Sequence, residues 1–238
     1  MNKKLVLILN GKGGVGKSFF AVNFVQYLRD RQHDHRAVDT DNENSTLKRY
    51  HPEAAFADLN DPRGLDSLFA TLADVPLVVV DGRAASTDLV LDYFAEVSVF
   101  ELLDSMDARL TIVMPVNHEA DSVTQIKLIS DTLADRCRYV IVKNQAHSEQ
   151  FALYERSKTR ARLVDELHAG ELVMPRMYDW LVAALNQHNL TATPAQGHPA
   201  FNVVDRQRLK NWQKTFYAQV DAHADALLSE VQPTPHHE

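Results

Sequence analysis

The run Gly11-Lys12-Gly13-Gly14-Val15-Gly16-Lys17-Ser18 constrains this chain more than any other part of it. The pattern G-x-x-x-x-G-K-[ST] turns successive backbone N–H groups inward around a phosphate, which a side chain at the glycine positions would obstruct. Lys17 then reaches the β/γ-phosphates, and the Ser18 hydroxyl ligates Mg²⁺. The flanks agree with this reading. Leu5-Val6-Leu7-Ile8-Leu9 is a continuous apolar run, predicted as a fully buried strand, and Ser18 to Leu28 is predicted as a helix. Strand, glycine loop and helix together aim a helix N-terminus at an anion. Gly11 through Ser18, with Phe19 directly after them, are therefore the expected nucleotide-binding residues.

Acidic strand ends extend the expected site. Arg36-Ala37-Val38 is predicted as a strand ending at Asp39-Thr40-Asp41, and Pro76 to Val80 as another ending at Asp81. Further strands are predicted at Leu110–Met114, Tyr139–Val142 and Glu171–Met174, with helices between them. Apolar strands alternating with helices describe an α/β fold, a mostly parallel sheet covered on both faces. In such a sheet ligands bind beyond the carboxyl ends of the strands. One carboxylate there can support Mg²⁺ and another can orient an attacking water. Ser18, Asp39 and Asp81 are the expected metal residues.

The remaining elements are expected as follows. Asp66 to Leu72 and Glu119 to Leu133 read as helices, as does Thr87 to Phe94, continuing or restarting before Leu103. Gln150 to Leu167 reads as a charged helical stretch, Tyr178 to Asn189 as a helix and Thr191 to Pro199 as a loop. A long final helix is expected from Val203 to Val231. No repeat or low-complexity linker interrupts the chain, so a single domain over 1–231 with a disordered tail at 232–238 is expected.

The length of 238 residues allows a substantial core, and 45% hydrophobic with 24% charged residues is ordinary for a globular protein. A net charge of −7 argues against an all-round basic surface but not against a local basic patch. One cysteine, Cys137, precludes an internal disulfide and fits a reducing, cytoplasmic setting; it reads as a structural thiol. No stretch approaches the ~20 apolar residues of a spanning helix, and the five apolar residues before Asn10 are too few for a signal-peptide core.

The segment Lys12 to Ser18 resembles the deviant phosphate loop of the ParA/MinD group of ATPases, P-loop proteins of the SIMIBI class that carry a signature lysine. Asp39-Thr40-Asp41 resembles the group's Asp-x-Asp element, and Leu77 to Asp81 its Walker B strand. Val142-Lys143-Asn144 resembles the strand end whose asparagine recognises adenine, and Val173-Met174-Pro175 the segment whose proline loop lies against the base. The resemblance runs in order from about Lys4 to Pro175. It implies ATP or ADP with Mg²⁺ as cofactor, an ATPase that turns over slowly, and an ATP-bound homodimer. Lys12, which has no evident role within its own subunit, would cross the interface to the partner's phosphates, and Lys17 would serve its own. Asp41 would position the attacking water, Asp81 would support the metal, and Asn144 and Pro175 would meet the base.

Two segments depart from the group. Its members commonly follow the Walker B aspartate with a small residue and proline, whereas this chain reads Asp81-Gly82-Arg83-Ala84-Ala85. Asp41-Asn42-Glu43-Asn44 stands in place of Asp-Pro-Gln. Both fall where the group senses the γ-phosphate, which leaves open a nucleotide-dependent binding module that hardly turns over. A dethiobiotin-synthetase-like ligase also shares the loop, but the chain offers no second compact motif for a carboxylate substrate. The acidic, polar C-terminal segment makes a poor membrane anchor. Arg156, Lys158, Arg160 and Arg162, and again Arg206, Arg208, Lys210 and Lys214, form basic clusters that would suit nonspecific DNA. Acids lie close to both, so a solvated helix face is the favoured reading, with nonspecific DNA or a DNA-binding adaptor protein as the alternative partner. The opening through Phe20 and the Met114-Pro115-Val116-Asn117 segment resemble ParA-like proteins encoded with conjugation genes, of the TraL type. Plasmid partition or mobile-element transfer is the context this implies.

Overall fold

The computed structural model describes residues 3–229. Its strands are β1 (Lys3–Ile8), β2 (Arg36–Asp39), β3 (Ala55–Phe56), β4 (Leu77–Asp81), β5 (Ala108–Val116), β6 (Arg138–Asn144) and β7 (Gly170–Met174). They form one seven-stranded sheet, in the order β3-β2-β4-β1-β5-β6-β7, with every pairing parallel. The helices are α1 (Lys17–Asp30), α2 (Thr46–Tyr50), α3 (Pro62–Asp74), α4 (Thr87–Glu96), α5 (Val99–Ser105) and α6 (Ala120–Leu133). After them come α7 (Ala152–Glu155), α8 (Lys158–Ala161), α9 (Asp179–His188), α10 (Ala192–Ala195), α11 (Val203–Asp221) and α12 (Ala224–Leu227).

The strand period of two sorts the core into two layers. Leu5, Leu7, Val78 and Val80 face one side, where α3, α4, α5 and α6 cover them. Val6, Ile8, Leu77 and Val79 face the other, where α1, α9 and α11 cover them. Burial on both faces is why these strands are apolar without alternation. Cys137, at the entry to β6, sits in an apolar setting, and burial pushes its thiol up to about 12.

Several expectations need correction. Of the two courses left open for Thr87–Leu103 the chain takes the restart, because Ser98 adopts a left-handed conformation at φ 49°. The stretch from Gln150 to Leu167 is not one helix. Ser157 adopts extended backbone (φ −79°, ψ 148°) and caps a new turn by accepting from Arg160 N at 3.0 Å. A π-helical turn over Arg162–Glu166 follows. The short α2 and β3 lie in a segment for which the sequence suggested no element, and α10 lies in the Thr191–Pro199 stretch read as loop. The final helix stops at Asp221 instead of running to Val231. There His223 bonds back to the Gln219 carbonyl at 2.8 Å, and the carbonyls of Asp225 and Ala226 take hydrogen bonds from Lys4 and Thr111. Those contacts draw α12 under the start of the sheet and are incompatible with a straight helix. Positions 230–231 of the expected final helix and the expected tail, 232–238, lie outside the described residues.

Candidate nucleotide site at the carboxyl ends of the strands

Register brings the site together. Asp81 pairs with Ile8 on one side and with Asp39 on the other, so the entry to the glycine loop and both acidic strand ends stand at one level of the sheet. The loop is fastened from beneath by buried Asn10. Its Nδ2 donates to the Pro115 carbonyl at 2.8 Å and its Oδ1 accepts from Lys12 N at 3.0 Å.

Gly16, the residue before α1, has φ 100° and ψ 21°, a backbone that side chains disfavour. A Cβ there would also lie 2.3 Å from Asn144 Nδ2. Gly14 shares the positive φ (75°) but faces open space. Gly16→Ala is therefore expected to cost about 1–3 kcal/mol of stability and to weaken ADP binding at least tenfold. Thermal melting and calorimetric titration check both, and unchanged ADP affinity would show that the loop tolerates the side chain.

Lys17 is buried at the start of α1, and its Nζ donates to the Lys12 carbonyl at 3.0 Å. Burial lowers its pKa, against the opposing pull of Asp81 and Asp41. Asp81 is buried beside it, and among the described residues neither carboxylate oxygen has a hydrogen-bond partner. Burial is the main reason its pKa is pushed up to about 7. The nearby Ser18 hydroxyl pulls it back without forming a well-aligned bond, Asp39 raises it, Lys17 lowers it and Asp41 raises it. A buried carboxyl with empty lone pairs beside a hydroxyl and an ammonium is a donor set suited to a hard divalent cation and its water shell.

Asp39, grouped with Asp81 from the sequence, is held by backbone amides. Its Oδ1 accepts from Asp41 N and its Oδ2 from Lys48 N, both at 3.0 Å, so it ties the loop after β2 to the start of α2. Asp41 caps the same loop, accepting from Glu43 N at 2.9 Å, Asn44 N at 3.1 Å and Asn44 Nδ2 at 3.2 Å. Burial opposes its charge, but those amides, with the Arg83 guanidinium, hold its carboxyl below the usual range.

Asn144 is buried against the loop, where Nδ2 donates to the Val15 carbonyl at 2.9 Å and Oδ1 accepts from Ala146 N at 3.1 Å. The Pro175 carbonyl accepts from Trp212 Nε1 at 2.8 Å, which pins the segment after β7 to α11. Phe19 meets the Trp212 ring edge-on, with centroids 5.7 Å apart. Two clefts of about 300 Å³ flank this pair. One opens beside Ser18 and Phe19 toward Tyr50 and Leu185, the other lies between Pro175, Tyr178 and Trp212.

Lys12, for which the sequence showed no evident partner, meets carboxylates of its own subunit. Its Nζ lies 3.2 Å from Glu119 and 3.5 Å from Asp121, at the N-terminus of α6. Thr40 and Gly82 were not singled out from the sequence and prove structural to the site. Thr40 Oγ1 donates to the Asp81 carbonyl at 2.7 Å and accepts from Arg83 N at 3.0 Å, joining the loops after β2 and β4. Gly82 N donates to the Ile8 carbonyl at 3.0 Å, and a Cβ on Gly82 would lie 2.5 Å from that oxygen. Their only sequence signal is position, each directly beside an aspartate of a strand end.

The family described as the CobQ/CobB/MinD/ParA nucleotide binding domain matches residues 6–211. Protein TraL of Escherichia coli is 26% identical over 240 residues, covering 93% of this chain and 98% of the relative. Protein MobD of Acidithiobacillus ferrooxidans is 26% identical over 184 residues, covering 75% and 80%. Among solved structures, the septum site-determining protein MinD with Mg-ADP from Pyrococcus horikoshii superposes with a TM-score of 0.53 at 15% identity, covering 97% of this chain and 100% of that one. A putative plasmid partition protein of Borrelia burgdorferi bound to AMPPNP gives 0.52 at 14% identity, covering 92% and 99%. At these identities the two structures establish the shared fold.

Proposed function

The chain belongs to the CobQ/CobB/MinD/ParA nucleotide-binding family, and from that premise we propose that it is a Mg²⁺-dependent ATPase of the ParA/MinD type, acting as a nucleotide switch in plasmid or mobile-element transfer. The observation that carries this reading is Asp81, a buried carboxyl with both oxygens bare beside Lys17 and Ser18. Ser18 and Asp81 would hold Mg²⁺, which supplies charge neutralisation to the β/γ-phosphates. The loop N–H groups would bind the phosphates themselves. Lys17 would exchange its bond to the Lys12 carbonyl for a phosphate oxygen, a charge-assisted bond about twice as strong as a neutral one. Asn144 would hold the loop in shape through Val15 while lying beside the base, and Pro175 would line the base site from its anchor on Trp212.

Hydrolysis in this scheme needs Asp41 to give up amide partners and turn toward a water. That requirement supports a slow rate, and at the limit a switch that binds without turning over. Asp41→Ala is expected to leave the ATP dissociation constant within about threefold and to lower the hydrolysis rate at least about 100-fold, the lower end of the usual contribution of a positioned base. Phosphate-release kinetics test it, and normal turnover by the variant would remove Asp41 from the mechanism.

Dimerisation on ATP would require Lys12 to leave Glu119 and Asp121. Light scattering with ADP and then with a non-hydrolysable ATP analogue tests the step, since a monomer in both, with nucleotide bound, rejects it. The relatives TraL and MobD support the transfer context by name. As for DNA, several of the basic residues are already engaged. Arg160 forks onto Glu171 at 2.9 and 2.7 Å, Arg162 pairs with Asp131, and Arg208 lies 3.7 Å from Asp205. This weakens the case for direct binding of nonspecific DNA and leaves an adaptor protein as the alternative partner. No helix among the described residues is long and apolar enough to cross a membrane.

A further inference from the structure

Arg83 stands two residues after Asp81, and its surroundings in the fold give it more than a solvated role. The backbone holds it at the junction of three segments. Gly82 N and Ala85 N each donate, at 3.0 Å, to carbonyls on either side of the glycine loop's entry, Ile8 and Gly11. Arg83 N itself donates to Thr40 Oγ1 in the loop that carries Asp41. Ala85 is held at φ 55°, a left-handed conformation unusual for a residue with a Cβ, so the segment is kept in a shape it would not adopt alone.

The guanidinium is under-used. Nη2 donates to Asn60 Oδ1 at 2.8 Å, while Nε is buried with no acceptor among the described residues. A buried guanidinium donor without a partner is disfavoured unless another state of the protein supplies one. Asp41, the residue expected at the attacking water, lies within its electrostatic reach. On the loop itself Lys12 is engaged by Glu119 and Asp121, which leaves Lys17 as the loop cation aimed inward. A transferring phosphoryl group spreads charge over three oxygens and gains most from a second cation with forked donors.

We propose that Arg83 is an arginine supplied in cis to the terminal phosphoryl group: anchored on Asn60 in the nucleotide-free site, it turns its forked donors to those oxygens when a nucleoside triphosphate binds. The chemistry recognised is a terminal phosphoryl group carrying oxygens that ADP lacks. Arg83 is then a catalytic residue, and Asn60 the positioning residue that holds it back. This inference rests on the nucleotide-hydrolysis reading above.

The test measures dissociation constants of the full chain for Mg-ADP alone and for Mg-ADP with aluminium fluoride, a mimic of the transferring phosphoryl group. Wild type, Arg83→Ala, Arg83→Lys and Asn60→Ala are compared, with thermal melting to confirm that each is folded. The expected wild-type result is at least tenfold tighter binding with aluminium fluoride than without. Arg83→Ala should keep ADP affinity within twofold and lose at least tenfold of the aluminium fluoride gain. Arg83→Lys should recover less than a third of that loss, because an ammonium lacks the fork. Asn60→Ala, which frees the guanidinium, should retain the full gain. An Arg83→Ala protein that keeps the gain, or full rescue by lysine, overturns the assignment while the nucleotide site stands. A wild-type protein that binds no Mg-ADP rejects the nucleotide reading itself, and this inference with it.

Discussion

Lys17→Ala is expected to raise the dissociation constants for ATP and ADP at least about 100-fold, roughly 2.7 kcal/mol, while leaving the protein folded. The size follows from the surroundings. Lys17 is buried beside Asp81, with its ammonium bonded to a single loop carbonyl. In such a place a charge-assisted bond to phosphate has little water to compete with, and one or two bonds of about 1.5–3 kcal/mol each account for the loss. Stability should move the other way or not at all. Burial already lowers the Lys17 pKa, which means the free protein bears a cost for keeping this amine charged. Alanine at a position inside the first turn of α1 also suits the helix. Titration with a fluorescent ADP analogue and a circular-dichroism melt measure the two effects. Affinity within threefold of wild type would take Lys17 out of the phosphate site.

Asp81→Asn is expected to separate stability from function. The folded protein holds this carboxyl at about 7, above its ordinary 3.8, chiefly by burial. Folding therefore favours the protonated form. Below about pH 4 the group is protonated in both states and contributes no penalty. Between about pH 4 and 7 the unfolded chain ionises first, so stability falls as pH rises, and above pH 7 the full penalty is present. Asparagine imitates the protonated acid at every pH. The variant without nucleotide should match wild type near pH 4 and exceed it at pH 8 by about 2–4 kcal/mol, roughly 5–10 °C in melting temperature. With Mg-ATP the order should reverse, because the metal supplies the missing partner for Asp81 and has no anion to bind in the variant. Equal melting temperatures at pH 8 would mean that the folded protein does not hold Asp81 in this buried, charged form.

Local signals carried much of the architecture. Apolar runs such as Leu77 to Val80 could only be strands covered on both faces, and the glycine loop between Leu9 and Phe19 could only be a turn into a helix. Elements whose stability comes from capping and long-range contact were not legible. The five-residue α2 depends on Asp39 Oδ2 meeting Lys48 N, nine positions away. The end of α11 depends on Lys4 and Thr111 meeting carbonyls more than 100 positions distant. A sequence period reports neither kind of contact.

The same division runs through the site. Taken alone, the chain determined which residues stand where phosphate can be met, because glycine, lysine and serine at that spacing act through local backbone geometry. It also determined that Asp39, Asp41 and Asp81 would gather at strand ends, because a parallel sheet puts those ends on one side. Only the tertiary structure decided what each acid is free to do. Asp39 and Asp41 are taken up by backbone amides, whereas the Asp81 carboxyl is left bare. It likewise paired Lys12 with carboxylates of its own subunit and left part of the Arg83 guanidinium without an acceptor. The reason is physical: residue type sets what a side chain can donate or accept, but the partners that satisfy it arrive from distant segments and exist only once the chain is folded.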